Sequence, residues 1–189
     1  MVKALPGIEK VTLTTNGVLL KDQLKDLAEA GIDNINISLD TLNKTEFHRI
    51  TRREGLSSVL ESIEEALKYP QIGLKINCVP VIEDPENLVS IAGLAKTHPI
   101  HVRFIEMMPI GFGKDFVFRG EDEICSILER AYGIMIPDVN RYGNGPCHYY
   151  QIQGFQGRIG FISAMTHKFC DQCNRVRMTA EGYLKACLQ

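Results

Sequence analysis

Apolar and polar positions alternate between two periods along residues 11–107. Runs of period two, read as strands, fall at Val11 to Gly17, Asn34 to Leu39, Leu74 to Val79 and His101 to Met107. Between them the apolar positions recur every three to four residues. Leu20, Leu24, Leu27 and Ala28 share one helical face, and Gly31 marks its end. Asn43 with Glu46 reads as a capping box, and a longer helix opening at Ser57 carries a stripe of Val59, Leu60, Ile63 and Leu67. Asp84 followed by Pro85 starts a further helix through Leu94. Strands separated by helices predict parallel pairing with right-handed crossovers. Four such strands do not close a barrel, so the pattern predicts an open or incomplete one.

The pattern changes after Met107. A loop-like stretch precedes a helix at Glu121 to Tyr132, and the Gly/Pro-marked segment GNGPCHYY follows. Short β-like runs then appear at 149–153, 157–163 and 175–179, with a turn at Ala180-Glu181-Gly182. We read this part as a small antiparallel unit carrying clustered cysteines. The division predicted is 1–108 for the parallel α/β part and 109–189 for the cysteine-bearing part.

Composition narrows the class. The 189 residues are 44% hydrophobic and 23% charged with net charge -2, the profile of a water-soluble globular chain. The near-neutral charge excludes binding of nucleic acid or membrane surface by bulk electrostatics. No apolar run approaches the ~20 residues needed to cross a bilayer. No secretory signal is evident, so a cytoplasmic or mitochondrial-matrix setting is expected, where clustered thiols serve as metal ligands rather than disulfides.

Chemistry concentrates in Cys170, Cys173 and Cys187, spaced C-x2-C-x13-C, with Arg175 and Arg177 between them. Structural zinc takes four protein ligands, and a fully ligated iron–sulfur cluster also takes four. Three cysteines therefore predict a metal with one open position, and the two guanidiniums beside it predict an anionic ligand. His167 as a fourth ligand would instead make a structural zinc site. The carboxyl ends of the strands supply Thr14, Thr15, Asn16, Ser38, Asp40, Lys75, Asn77, Arg103, Glu106 and Met108. Lys75 and Arg103 stand out because each interrupts an apolar strand. Such a charge must be paired, for instance Lys75 with Glu106, or face a wet cavity. The stretch Gly143 to Gly145 is too short for a phosphate loop.

LTTNG, NISLDTL, the Lys75-Ile76-Asn77 strand, VRFIEMMP, GRIGFIS and CDQCNRVRMTAEG with its later Cys resemble the GTP 3',8-cyclases of molybdenum-cofactor biosynthesis. These are radical S-adenosylmethionine (SAM) enzymes, and the resemblance runs in order over essentially the whole chain. It implies an α/β fold: part of a radical-SAM TIM-type barrel with a C-terminal cluster-binding unit. It implies that Cys170, Cys173 and Cys187 hold a [4Fe-4S] cluster whose open iron meets GTP. It further implies that Thr14, Lys75, Arg103, Arg175, Val176 and Arg177 bind GTP and that Ser38 and Met108 bind SAM. Expected partners are GTP, SAM and a second copy in a homodimer. The C-x3-C-x2-C motif of radical-SAM enzymes is absent from these 189 residues. The chain is thus expected to correspond to the later part of such an enzyme and to be inactive alone. The alternative is a zinc-bound structural or nucleotide-binding module without catalysis.

Overall fold

A computed structural model describes residues 2–116, 118–167 and 169–187. Its elements are β1 (Thr12–Thr15), α1 (Leu20–Glu29), β2 (Asn34–Ser38), α2 (Lys44–Thr51), α3 (Leu56–Ala66), β3 (Gly73–Cys78), α4 (Pro85–Thr97) and β4 (His101–Ile105). They continue with α5 (Glu121–Tyr132), β5 (Met135–Asp138), β6 (His148–Ile152), β7 (Arg158–Ile162), β8 (Arg177–Met178) and β9 (Leu184–Lys185). Seven strands form one sheet in the order β1-β2-β3-β4-β7-β6-β5, and β8 pairs with β9 separately. The first five strands in that order are parallel, while β6 and β5 run antiparallel at the far edge. The sheet stays open, a partial barrel. The fifth parallel strand, β7, is one the periodicity had assigned to an antiparallel unit.

Local chemistry explains the helix starts. The Asn43 side chain accepts the N–H groups of Thr45 and Glu46, and Asp84 accepts that of Glu86 ahead of Pro85. Glu46 does not return the bond to Asn43 but pairs with Arg49, so the box is half made. Gly55, not Ser57, caps α3.

Side-chain alternation then divides the sheet into two unlike faces. Ile35, Ile37, Leu74, Ile76, Cys78, Val102, Phe104, Ile159 and Phe161 point one way and are fully or nearly buried. Leu20 and Leu24 of α1, Val59 and Ile63 of α3, Leu88 and Ile91 of α4, and Ile124 and Leu128 of α5 close over them. Each such side chain stabilises the fold by roughly 1.5–3 kcal/mol. The opposite face carries Thr14, Asn36, Lys75, His101 and Arg158 in one row, aligned strand to strand. Ser38, Asn77, Arg103, Gly160 and Tyr149 make the next row.

Glu106, just past β4, ties the chain's last third to this sheet. It is buried, and its carboxylate accepts the N–H groups of Glu121 (3.3 Å), Met165 (2.7 Å) and Thr166 (3.0 Å), plus the Thr166 hydroxyl. It therefore caps α5 and holds the turn that leads to Cys170. The Lys75–Glu106 pair considered from sequence does not form. Replacing Glu106 by Ala would orphan several buried donors, at roughly 1–3 kcal/mol each. We expect Glu106→Ala to lower the Tm by at least about 6 °C, at ~2–4 °C per kcal/mol. A melt within about a degree of wild type would contradict this reading.

Candidate substrate and cluster site

The polar sheet face holds a charge arrangement that ordinary packing disfavours. Lys75 is 6% exposed, yet among the described residues its ammonium donates only to the Tyr142 carbonyl. Arg103, on the neighbouring strand, donates Nε–H and Nη2–H to the Asn77 side-chain carbonyl at 2.9 and 2.6 Å. Burial drives the Lys75 pKa down to about 8, and the Arg103 charge lowers it further in the same direction. Among the described residues no carboxylate pairs with Lys75, Arg103, Arg175 or Arg177. Arg158, further along the face, does have its partner in Asp138 at 2.6 Å.

Beside Lys75 sits His101, the first residue of β4, packed against Tyr142 and Tyr149 at ring separations of 4.4 and 5.4 Å. Burial, then Lys75, lowers its pKa to about 4, so it is neutral at physiological pH and its Nδ1 has no partner. His101 is thus neither a surface histidine nor one whose buried nitrogen is satisfied. Cys147 is also part of this neighbourhood, its thiol pushed up to about 11 by burial. His101, Tyr142, Tyr149 and Cys147 were not legible as site residues, because the loop bringing Tyr142 over β3 leaves no periodic trace.

A cavity of about 380 Å³ opens between the β5–β6 loop and the cysteine segment. Asp138, Arg141, Gly143, Gly145, Cys147, Cys173, Asn174 and Arg175 are on its wall. That volume lies in the range of small-molecule sites, about 300–1,000 Å³. The structure thus brings Arg175 and Cys173 to the same loop that receives Lys75. Thr14 is exposed on β1 and accepts a hydrogen bond from the Asn36 amide at 3.2 Å, next in the row to Lys75. Ser38 is exposed at the end of β2, in the row of Arg103, and Met108 lies half-buried past β4. Asp40 accepts the Val79 N–H at 2.8 Å and so ties the carboxyl ends of β2 and β3.

Val176 and Arg177 are exposed, Arg177 in the β8–β9 hairpin, and neither lines the cavity. Cys170 and Cys173 stand on one short turn closed by a 3.1 Å bond from the Cys173 N–H to the Cys170 carbonyl. Cys187 lies exposed beyond β9. All three thiols are free and accessible, which suits metal ligation. Among the described residues, however, no three potential metal donors are gathered closely enough to hold an ion. His167 lies against Thr166 (3.1 Å) and Glu121 (3.5 Å), away from a ligand role.

The Radical SAM superfamily model matches residues 1–95, half of the chain. The chain belongs to the radical SAM superfamily. The Molybdenum Cofactor Synthesis C model matches residues 100–189. A GTP 3',8-cyclase of Clostridium perfringens strain SM101 is 44% identical over 99% of the chain and 58% of its own length. A GTP 3',8-cyclase of Syntrophomonas wolfei is 42% identical over 99% of the chain and 58% of its length. The Caenorhabditis elegans molybdenum cofactor biosynthesis protein moc-5 is 40% identical over 99% of the chain and 32% of its length. The chain therefore spans a little over half the length of these bacterial relatives. No helix among the described residues is long and apolar enough to cross a membrane.

The Lys75 charge also sets a stability prediction. Its folded pKa, about 8, lies below the ordinary 10.5, so between those values the unfolded chain binds more protons. Stability contributed at this position must then rise with pH from about 8 to 10.5, and the cost is fully present below pH 8. Lys75→Met should melt at or above wild type at pH 7, the difference narrowing as pH rises past 8. A variant markedly less stable than wild type at pH 7 would show that the charge has a partner.

Proposed function

We propose that the chain carries the nucleotide-binding and C-terminal cluster-binding part of a GTP 3',8-cyclase, a lyase of molybdenum-cofactor biosynthesis. The observation that carries the reading is the pair Lys75 and Arg103, sheltered side by side on the polar face without a carboxylate. Two adjacent cations in a partly dehydrated site repel unless an anion lies between or beside them. A nucleotide triphosphate meets that need, and relatives at 38–44% identity bear the name of an enzyme acting on GTP.

In this reading Lys75, Arg103 and Arg175 hold the anionic part of GTP, with Thr14 beside them. Val176 and Arg177 reach it from the β8–β9 segment. Ser38 and Met108, at the carboxyl ends of β2 and β4, face SAM. Cys170, Cys173 and Cys187 would hold a [4Fe-4S] cluster, which supplies an open iron site for the substrate when bound. The division near residue 108 separates barrel-type strands from the cysteine-bearing region, though the sheet itself runs across it. A homodimer and a cytoplasmic setting belong to the same proposal. The chain's own groups bind, orient and neutralise charge. The 189 residues contain no C-x3-C-x2-C motif for the cluster that cleaves SAM.

Two experiments test this. Anaerobic reconstitution should give a brown protein with about four irons and four sulfides per chain, reduced by Ser at any of the three cysteines. A colourless protein holding zinc would favour the non-catalytic module. The reconstituted 189-residue chain should bind GTP yet release no 5'-deoxyadenosine from SAM. Measurable SAM cleavage by this chain alone would refute the assigned division of labour.

A further inference from the structure

Beyond Lys75, Arg103 and Arg175, the β5–β6 loop builds a second cationic compartment. A cavity of about 230 Å³ is lined by Lys10, Arg141, Gly143, Asn144, Gly145 and Asn174. Its wall has two cations and two side-chain amides, and no carboxylate. It shares Arg141, Gly143, Asn144, Gly145 and Asn174 with the larger cavity that Arg175 lines, so the two are continuous. Neither Lys10 nor Arg141 forms an ion pair among the described residues. Asp33, on which Lys10 acts at longer range, is taken by Lys3 and the Val11 N–H. Asp138, in the larger cavity, is taken by Arg158, the Tyr142 hydroxyl (2.8 Å) and the Asn140 N–H (3.0 Å).

The loop is anchored where it matters. Lys75 binds the Tyr142 carbonyl, and the Tyr142 hydroxyl binds Asp138, so the residue next to Arg141 is fixed at both ends. A Cβ on Gly143 would lie 3.3 Å from the Lys75 ammonium, and one on Gly145 would lie 2.6 Å from Arg175 Nη2. Glycine at these two places lets the loop backbone pass directly against both cationic head groups. The segment is no phosphate loop in sequence, yet it gathers Lys10, Arg141 and Arg175 around connected space, with Lys75 against its backbone at Gly143.

We propose that Lys10 and Arg141, presented by the β1 approach and the β5–β6 loop, form a polyphosphate-binding subsite that takes the terminal phosphates of the nucleotide. The assignment to a nucleotide rests on the function proposed above; the anion site itself rests on the cavity lining. Guanidinium and ammonium groups bind phosphate oxygens through short charge-assisted hydrogen bonds. Because both residues are solvent-exposed, the interaction weakens with added salt.

The test is equilibrium binding of inorganic tripolyphosphate, GTP and guanosine to the 189-residue chain, comparing wild type with Lys10→Gln, Arg141→Gln and the double variant. Both side chains are exposed, so the variants should melt with wild type. We expect each substitution to weaken tripolyphosphate and GTP about fivefold or more, the loss of a charge-assisted contact. Guanosine affinity should not change, and the salt dependence of GTP binding should become shallower. Unchanged tripolyphosphate affinity in the double variant would overturn the subsite, as would an equal loss for guanosine. Tripolyphosphate binding that depends on both residues but is not competed by GTP would keep the subsite and remove the GTP reading. Binding of neither ligand would remove both.

Discussion

A charge sheltered from water without a countercharge organises this protein. Lys75 could occupy an otherwise apolar strand only because alternation turns it to the face that the helices do not cover. There burial lowers its pKa, and the neighbouring Arg103, standing in place of an acid, lowers it further. A fold selected for stability alone would place a carboxylate or an aliphatic side chain here, since an uncompensated buried charge is costly. The sheet accepts that cost at one spot and recovers stability on the other face, where nine strand residues and four helices close a continuous core.

The remaining features follow from keeping that face open and furnished. The helices crowd one side, and the β5–β6 loop and the cysteine segment reach the other. The loop is held by Lys75 and Asp138. The cysteine segment is held by Glu106, which caps α5 and grips Met165 and Thr166, and by Glu121, which contacts Ser163, His148 and Tyr150. Two buried carboxylates thus support the chain leading to Cys170, while the cations in front of it are left without acids. Glu106 binds mostly backbone N–H groups and Glu121 binds side chains, while Arg141 and Arg175 stand on the cavity wall.

Much of this was readable along the chain. Period-two runs and capped amphipathic stretches located β1 to β4 and α1 to α5 closely, because local patterning and packing agree there. Lys75 and Arg103 were recognisable as misfits in apolar strands. Other parts were not readable. The short strand β5 follows Gly133 without an alternating signature, and the parallel partnership of β7 with β4 depends on register that only tertiary packing sets. The suspected Lys75–Glu106 pair failed for the same reason: adjacent in the strand series, the two serve different ends of the structure. His101, Tyr142 and the Gly143–Gly145 loop gain meaning only once the loop lies across β3. The cysteine spacing signalled chemistry, yet among the described residues the three thiols are not gathered into one metal-holding group.

The central claim, that the polar face is an anion site built on an unpaired lysine, is tested most directly by titrating Lys75 itself. Reductive ¹³C-methylation with NMR detection, assigned by Lys75→Arg, would follow it in the free protein and with saturating GTP. The account predicts titration near pH 8 in the free chain and a shift to clearly higher pH with nucleotide bound, because an adjacent phosphate favours the ammonium form. A lysine that titrates at its ordinary value without ligand, or that does not respond to GTP, would contradict it.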